Sequence, residues 1–152
     1  MDKKQVKAVI DVLKVNKNTG RPQFDYLFFR GGVAYATNGF AIMEWKADVE
    51  DGEISKEELE HWYKLAGNKD LLDLKLVQKH ELTNVPYFGG VITALEHDIE
   101  TDKTKNEPVL LDSNYFKILM PAFTRPLFQF AKGNIVKISE HGMTWYLLGI
   151  KK

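Results

Sequence analysis

The sequence predicts an α+β fold in which helices pack on one face of an antiparallel sheet. Apolar residues recur at helical spacing in three separate segments, and short strand-like segments joined by tight turns follow them. Hairpin-linked strands favour antiparallel pairing, because parallel strands need a long crossover connection. Helix starts near 3, 56 and 113 predict one domain of three helix-then-strands modules, at about 1–48, 49–106 and 107–152.

The first two helices are predicted from their apolar stripes and their end residues. The first covers about 3–15, where the apolar residues follow the i, i+3, i+4, i+7 spacing. The second covers about 56–66 and begins with a capping box, in which Ser55 and Glu58 each satisfy a backbone donor of the other.

The third helix is predicted at about 114–123. Asp112 or Ser113 precedes it and has the side chain of a helix cap, and Pro121 is expected to end or bend the helix early. The apolar stripe expected to face the core consists of Phe116, Leu119, Met120 and Phe123.

The other periodic segments are predicted to be strands joined by turns. Asn38-Gly39 is a strong hairpin signal, because a type I′ turn needs positive φ at both positions. Gly89 and Gly90 are also expected in a turn, and the charged segment 96–105 is expected to be an exposed loop or hairpin tip. The predicted strands lie at about 24–30, 33–37, 40–46, 71–78, 127–131, 134–139 and 144–150.

The composition excludes several classes of protein. Hydrophobic residues make up 44% of the chain, which supports a packed core and argues against intrinsic disorder. Basic and acidic residues number 21 each, so any contact with DNA must come from local segregation of charge. The sequence has no cysteine and no apolar run of the roughly 18–20 residues that a membrane helix needs. We therefore expect a cytoplasmic protein that does not contact a membrane.

The sequence contains no recognisable catalytic or metal-binding pattern. The histidines lack metal-ligand spacing, the serines lack a nucleophile-elbow context, and no phosphate-binding glycine loop occurs. The acidic residues between 96 and 102 lack the glycine and the ligand order of an EF-hand. We therefore expect a protein that is not an enzyme and needs no metal or cofactor.

Residues 35–42, Tyr-Ala-Thr-Asn-Gly-Phe-Ala-Ile, resemble the signature hairpin of bacterial DNA sliding clamps, the beta subunit of DNA polymerase III. In that family the strand ends in Ala-Thr-Asp-Gly and is followed by His-Arg-Leu-Ala. Asn38 therefore replaces the usual Asp, and Phe40-Ala41 replaces His-Arg. Further segments that resemble the clamp lie at 54–59, 85–92 and 110–152, so the likeness covers most of the chain.

This resemblance implies a DNA-clamp-like fold and a DNA-replication accessory protein. A sliding clamp is a ring whose inner helices present lysine and arginine to the phosphates of double-stranded DNA, and it tethers a polymerase or other replication enzyme. Clamp subunits have six modules and this sequence has about three, so we expect a shortened, phage-like or mobile-element version that forms a homo-oligomer. The residues expected to contact DNA are Lys3, Lys4, Lys7, Lys14, Lys117 and Arg125, and those expected to form the structural hairpin are Thr37, Asn38 and Gly39.

Other interpretations stay open from the sequence alone. The same fold suits a protein-interaction module, a clamp mimic or modulator that does not encircle DNA. Glu57, Glu58 and Glu60 favour this function, although acids at a helix N-terminus also stabilise the helix through its dipole. The lysines of the first helix are equally consistent with an ordinary solvated face. An enzyme would need a pocket of convergent titratable groups that motifs do not reveal.

Overall fold

A computed structural model gives the protein an antiparallel sheet with helices packed against it, which confirms the predicted α+β class. It describes residues 3–15, 22–46, 51–65, 88–101, 112–131 and 135–148. The helices in these ranges are α1 (Lys3–Val15), α2 (Lys56–Leu65), α3 (Phe88–Thr101) and α4 (Ser113–Leu119), with short 3-10 helices at Pro22–Asp25 and Met120–Ala122. The strands are β1 (Tyr26–Arg30), β2 (Val33–Thr37), β3 (Ala41–Lys46), β4 (Gly52–Ser55), β5 (Leu127–Ala131), β6 (Ile135–Glu140) and β7 (Met143–Leu148).

The strands form one sheet with the order β4-β1-β2-β3-β7-β6-β5. The central pair β3–β7 joins the early part of the chain to its end and places Met43 opposite Trp145. Each strand of that pair belongs to a three-strand meander that follows a helix. Strand β3 ends the meander β1–β3 after α1, and β7 ends the meander β5–β7 after α4. The expected strand at 71–78 and the expected module boundaries near 48 and 106 lie outside the described residues.

Helices α1, α2 and α4 cover one face of the sheet, which we call the helical face. Helix α1 contacts both of the others. Its Val6, Val9 and Leu13 are buried in one apolar cluster with Ala36 and Trp145 of the sheet. Burying a side chain of this kind contributes roughly 1.5–3 kcal/mol, so this cluster fixes α1 firmly against the strands.

Helices α1 and α2 begin and end almost where the sequence predicts. The N–H of Glu58 donates to Ser55 Oγ at 3.2 Å, which is one half of the predicted capping box. Leu59 is buried in the core, and Trp62 and Tyr63 pack partly buried beside it.

Helix α4 is shorter than predicted and its apolar stripe is rotated. Asp112 caps it by accepting a backbone hydrogen bond at 2.9 Å, and the 3-10 helix that follows contains Pro121. The predicted stripe is wrong at Phe116, which is 46% exposed, and Tyr115 is buried in its place. The reason is a tertiary hydrogen bond, because Asn38 binds the hydroxyl of Tyr115 and turns that side of α4 toward the core.

Helix α3 overturns the prediction for the irregular part of the chain. Gly89 and Gly90 lie in its first turn rather than in a loop turn. Residues 96–101, expected as an exposed loop or hairpin tip, form its second half, and residues 102–105 lie outside the described ranges.

An apolar stripe explains why this segment is helical. Ile92, Leu95 and Ile99 follow the i, i+3, i+7 spacing and pack in a cluster with Phe28 and Tyr146. Strand alternation places these two aromatic residues on the face opposite to the helical face. Burial of the stripe outweighs the local turn signals of the glycines and the charges.

A polar cluster ties α3 to this second face. Glu96 of α3 accepts hydrogen bonds from the hydroxyl of Tyr146 and, at 2.5 Å, from Lys137 Nζ. Burial acts to raise the pKa of Glu96, but these two hydrogen bonds prevail and lower it. Burial, and then the charge of Glu96, raises the pKa of the neighbouring Glu44. The ionised form of Glu96 is therefore part of the contact between α3 and the sheet.

The side chain of Asn38 links three separate parts of the fold. Its Nδ2 donates to the carbonyl of Val12 in α1 at 3.0 Å and to Tyr115 Oη in α4 at 2.8 Å. Its Oδ1 accepts from the backbone N–H groups of Phe40 and Ala41, at 2.9 and 3.0 Å. Asn38 is completely buried, so each of these bonds replaces one that water would otherwise supply.

The hairpin at Asn38-Gly39 has the predicted position but not the predicted turn type. Gly39 has a φ of 93°, whereas Asn38 does not have positive φ. The side chain of Asn38 organises the turn in place of backbone geometry, as asparagine does in Asx-turns. An added Cβ on Gly39 would lie 3.1 Å from the ring of Phe24. Positive φ at both central positions occurs instead at Gly31-Gly32, with φ of 60° and 77°, and at His141-Gly142, with φ of 47° and 84°.

We predict that Asn38→Asp destabilises the protein although the side chain keeps its shape. Aspartate cannot donate to the Val12 carbonyl, and it places a buried carboxylate against that oxygen, so we expect a loss of about 1–3 kcal/mol. Tyr115→Phe, which removes one hydroxyl, should cost about 0.5–1.5 kcal/mol. Urea unfolding followed by tryptophan fluorescence measures both, and an Asn38→Asp variant as stable as the parent would contradict the assigned bonds.

We predict that the contact of α3 with the sheet weakens in acid. The pKa of Glu96 is lowered by folding, so its contribution is present above the ordinary value of 4.5 and is lost as pH falls through the folded value. Lys137→Gln should cost about 1–3 kcal/mol at neutral pH and should flatten this acid dependence. Free energies of unfolding measured from pH 3 to 7 test this, with Lys4→Gln as the control. A Lys137→Gln variant with the parent's pH profile would disprove the role of the pair.

Candidate nucleic-acid interface

Helix α1 exposes only a narrow stripe on the helical face. Six residues of α1 are buried where it packs against the sheet and against α2 and α4. The polar positions 4, 7, 11 and 14 recur on its remaining side. Taking about 100° per residue, Lys4, Lys7, Asp11 and Lys14 lie on one line. We call these four residues the α1 stripe.

Acidic side chains accompany two lysines of the α1 stripe. Lys7 Nζ lies 3.0 Å from Asp11 Oδ2, and this hydrogen bond raises the pKa of Lys7. Lys14 Nζ lies 2.6 Å from Oε1 of Glu60 in α2, and this hydrogen bond lowers the pKa of Glu60. Part of the field of these two lysines is therefore neutralised within the protein.

The other two lysines of α1 differ in their surroundings. Lys3 places its Nζ 4.8 Å from the centre of the Tyr63 ring in α2, which is the geometry of a cation–π contact. Lys4 is exposed at the outer side of the helix. The structure thus brings the four predicted α1 lysines to one surface, where Lys4, Lys7 and Lys14 are exposed.

The remaining two predicted DNA contacts come from the last part of the chain. Lys117 is exposed on α4, on the side away from the buried Tyr115. Arg125 is exposed in the segment before β5, and the carboxylate of Glu140 holds that segment by accepting the backbone N–H groups of Arg125 and Thr124. Helix α4 packs on α1, so Lys117 belongs to the same helical face as the α1 stripe.

The acids of α2 have different surroundings. Glu57 is exposed, Glu58 is half-buried near the cap, and Glu60 binds Lys14 and also lies 3.9 Å from Lys64. The pairing of Glu60 with Lys14 is not visible in the sequence, because the two residues are 46 positions apart and meet only through the packing of α1 on α2.

The described residues contain neither a metal site nor a membrane helix. No group of three His, Asp or Glu side chains in those ranges is placed to hold a metal ion. No helix in the same ranges is long and apolar enough to cross a bilayer.

Comparison with known proteins finds similarity in structure and not in sequence. No protein-family model and no curated protein matches the chain. DNA polymerase III subunit beta from Borrelia burgdorferi, solved in complex with a natural product, is similar over 99% of this chain, with 12% identity and a TM-score of 0.57. The beta sliding clamp of C. crescentus with bound PEG is similar over 100% of this chain and 65% of the clamp chain, with 11% identity and a TM-score of 0.48.

The likeness to the Borrelia subunit shows the fold. The chain has the α+β fold of DNA sliding clamps, which confirms the fold that the hairpin motif and the order of elements predicted. It spans 63% of the length of the Borrelia protein.

Proposed function

We propose that the protein is a non-catalytic, cytoplasmic DNA-replication accessory that acts as a sliding clamp. Copies of the chain would join into a ring or partial ring around double-stranded DNA and tether a polymerase or another replication enzyme. The observation that carries this proposal is the α1 stripe, which exposes lysines on the helical face of a clamp-like fold. In a sliding clamp the helices line the channel, so this stripe would face the phosphates.

Assembly would use the two ends of the sheet. Among the described strands, β4 and β5 are the outermost, and an outermost strand presents backbone groups that another strand can bind. Leu127, at the start of β5, is 59% exposed, which suits a residue covered by a second copy. Pairing of β5 with β4 of the next copy is head-to-tail, and such contacts close into rings when the rotation permits.

The electrostatics suit a loose and sequence-independent contact. Lys7 and Lys14 carry their own acidic partners, and Lys4 is exposed. Phosphate contacts of this kind fall off steeply with salt and do not read base sequence. A ring that encloses the duplex needs no stronger contact, because topology retains it.

A second function is favoured by the acids on α2. Glu57 and Glu60 would repel phosphates if they faced DNA, whereas they would suit a basic protein surface. In this alternative the chain is a clamp mimic or modulator that binds a replication protein without encircling DNA. A pull-down with replication proteins discriminates, because this function needs a protein partner and tolerates the absence of DNA binding.

We predict that the protein forms oligomers and stays on circular DNA. Light scattering should show an oligomer that dissociates on dilution, and salt-resistant retention on nicked circular DNA should be lost once the circle is linearised. Linearisation is the control, because it removes the topological link and leaves every phosphate contact in place. Monomer alone across a wide concentration range, without retention on the circular DNA, would refute the proposal.

We predict that the α1 stripe supplies the phosphate contacts. Lys4→Gln should weaken binding to linear duplex and make the slope of log affinity against log salt shallower by about 0.9, the value for one contact. Arg30→Gln is the matched control, because it removes the same charge from an exposed residue on the second face. Equal losses for the two variants would show a non-specific effect of net charge.

A further inference from the structure

Glu60 contacts two lysines on the helical face, and only its i, i+4 contact with Lys64 supports α2 itself. It is the fifth residue of α2, beyond the first turn where a carboxylate benefits from the helix dipole. Its carboxylate points to α1 and meets Lys14 Nζ at 2.6 Å, while Lys64 lies at 3.9 Å. One carboxylate thus collects ammonium groups from two helices, as a phosphate of DNA would.

We propose that Glu60 is a built-in competitor of DNA phosphate for Lys14, which keeps the affinity of the helical face for DNA low. The proposal rests on the function proposed above and assigns a regulating residue to that surface. Binding of a phosphate to Lys14 is then an exchange of one anion for another.

The geometry permits this exchange. The side chains of Lys14 and Glu60 are 46% and 31% exposed, so neither partner is locked in the interior. Exposed ion pairs of this kind are weak and screened by salt, which means that a phosphate can displace the carboxylate. A carboxylate that competes for Lys14 shortens the lifetime of each lysine–phosphate contact. Movement along a duplex requires such short-lived contacts.

Asp11 is a less suitable competitor, although it lies beside Lys7 at 3.0 Å. This pair is an i, i+4 contact within α1 and supports the helix itself. The Lys14–Glu60 pair joins two helices. Helix α2 also packs on α1 through apolar contacts, with Leu59 buried and Trp62 and Tyr63 partly buried in the core cluster, so removal of the Glu60 charge should leave the packing intact.

The test is duplex binding by Glu60→Gln, measured by fluorescence anisotropy with a short labelled DNA over a range of salt concentrations. We expect several-fold tighter binding at low salt and a slope of log affinity against log salt steeper by about 0.9, since one lysine becomes free to contact phosphate. Glu100→Gln is the matched control, because it makes the same chemical change at an exposed residue of α3 on the second face. Lys14→Gln combined with Glu60→Gln should lose the added slope.

Each outcome bears on a different statement. If Lys14→Gln weakens DNA binding but Glu60→Gln binds DNA no differently from Glu100→Gln, the competitor role is overturned and the clamp function stands. If the parent, Glu60→Gln and Lys14→Gln all fail to bind duplex DNA, both the competitor role and the clamp function are overturned. Circular dichroism verifies that each variant is folded, and Glu60→Ala replaces Glu60→Gln if the amide variant is not.

Discussion

The arrangement of the helical face depends on the hydrogen bonds that the buried amide of Asn38 makes. It binds the last turn of α1, the hydroxyl of Tyr115 in α4 and the β2–β3 connection, so it fixes two helices relative to one hairpin. A buried polar group without its partners costs about 1–3 kcal/mol, so these elements hold together or loosen together. The resemblance to clamps leads one to expect Asp at this position. The structure shows why Asn is present, because both of its donors are used and a carboxylate has none.

The position of α1 determines what that face can do. Its Val6, Val9 and Leu13 are buried, which leaves one line of polar residues to meet solvent or a ligand. Asn38 secures the C-terminal end of the helix at Val12, close to Lys14 and its partner Glu60. The same packing therefore supplies both the lysines and the acids that oppose them.

Local sequence patterns predicted most of the described elements, because helix stripes, caps and turn residues act over a few positions. These patterns failed where a contact with a residue far away in the sequence determines the local structure. Tyr115 replaces Phe116 in the core because Asn38, 77 residues away, binds its hydroxyl. Helix α3 forms from a glycine-led, charged segment because Ile92 and Ile99 find an apolar surface on the second face. The lysines of the α1 stripe are visible in the sequence, whereas Glu60 could not be assigned as a partner without the packing of α2 on α1.

The paired lysines bear on how the proposed clamp would hold DNA. A protein that held DNA by contact alone would need its cations unopposed, since affinity falls with each phosphate contact that is lost. A ring that encloses DNA is held by topology, and strong contacts would only slow its movement. A surface whose lysines carry carboxylate partners at 2.6 and 3.0 Å fits the second case better than the first.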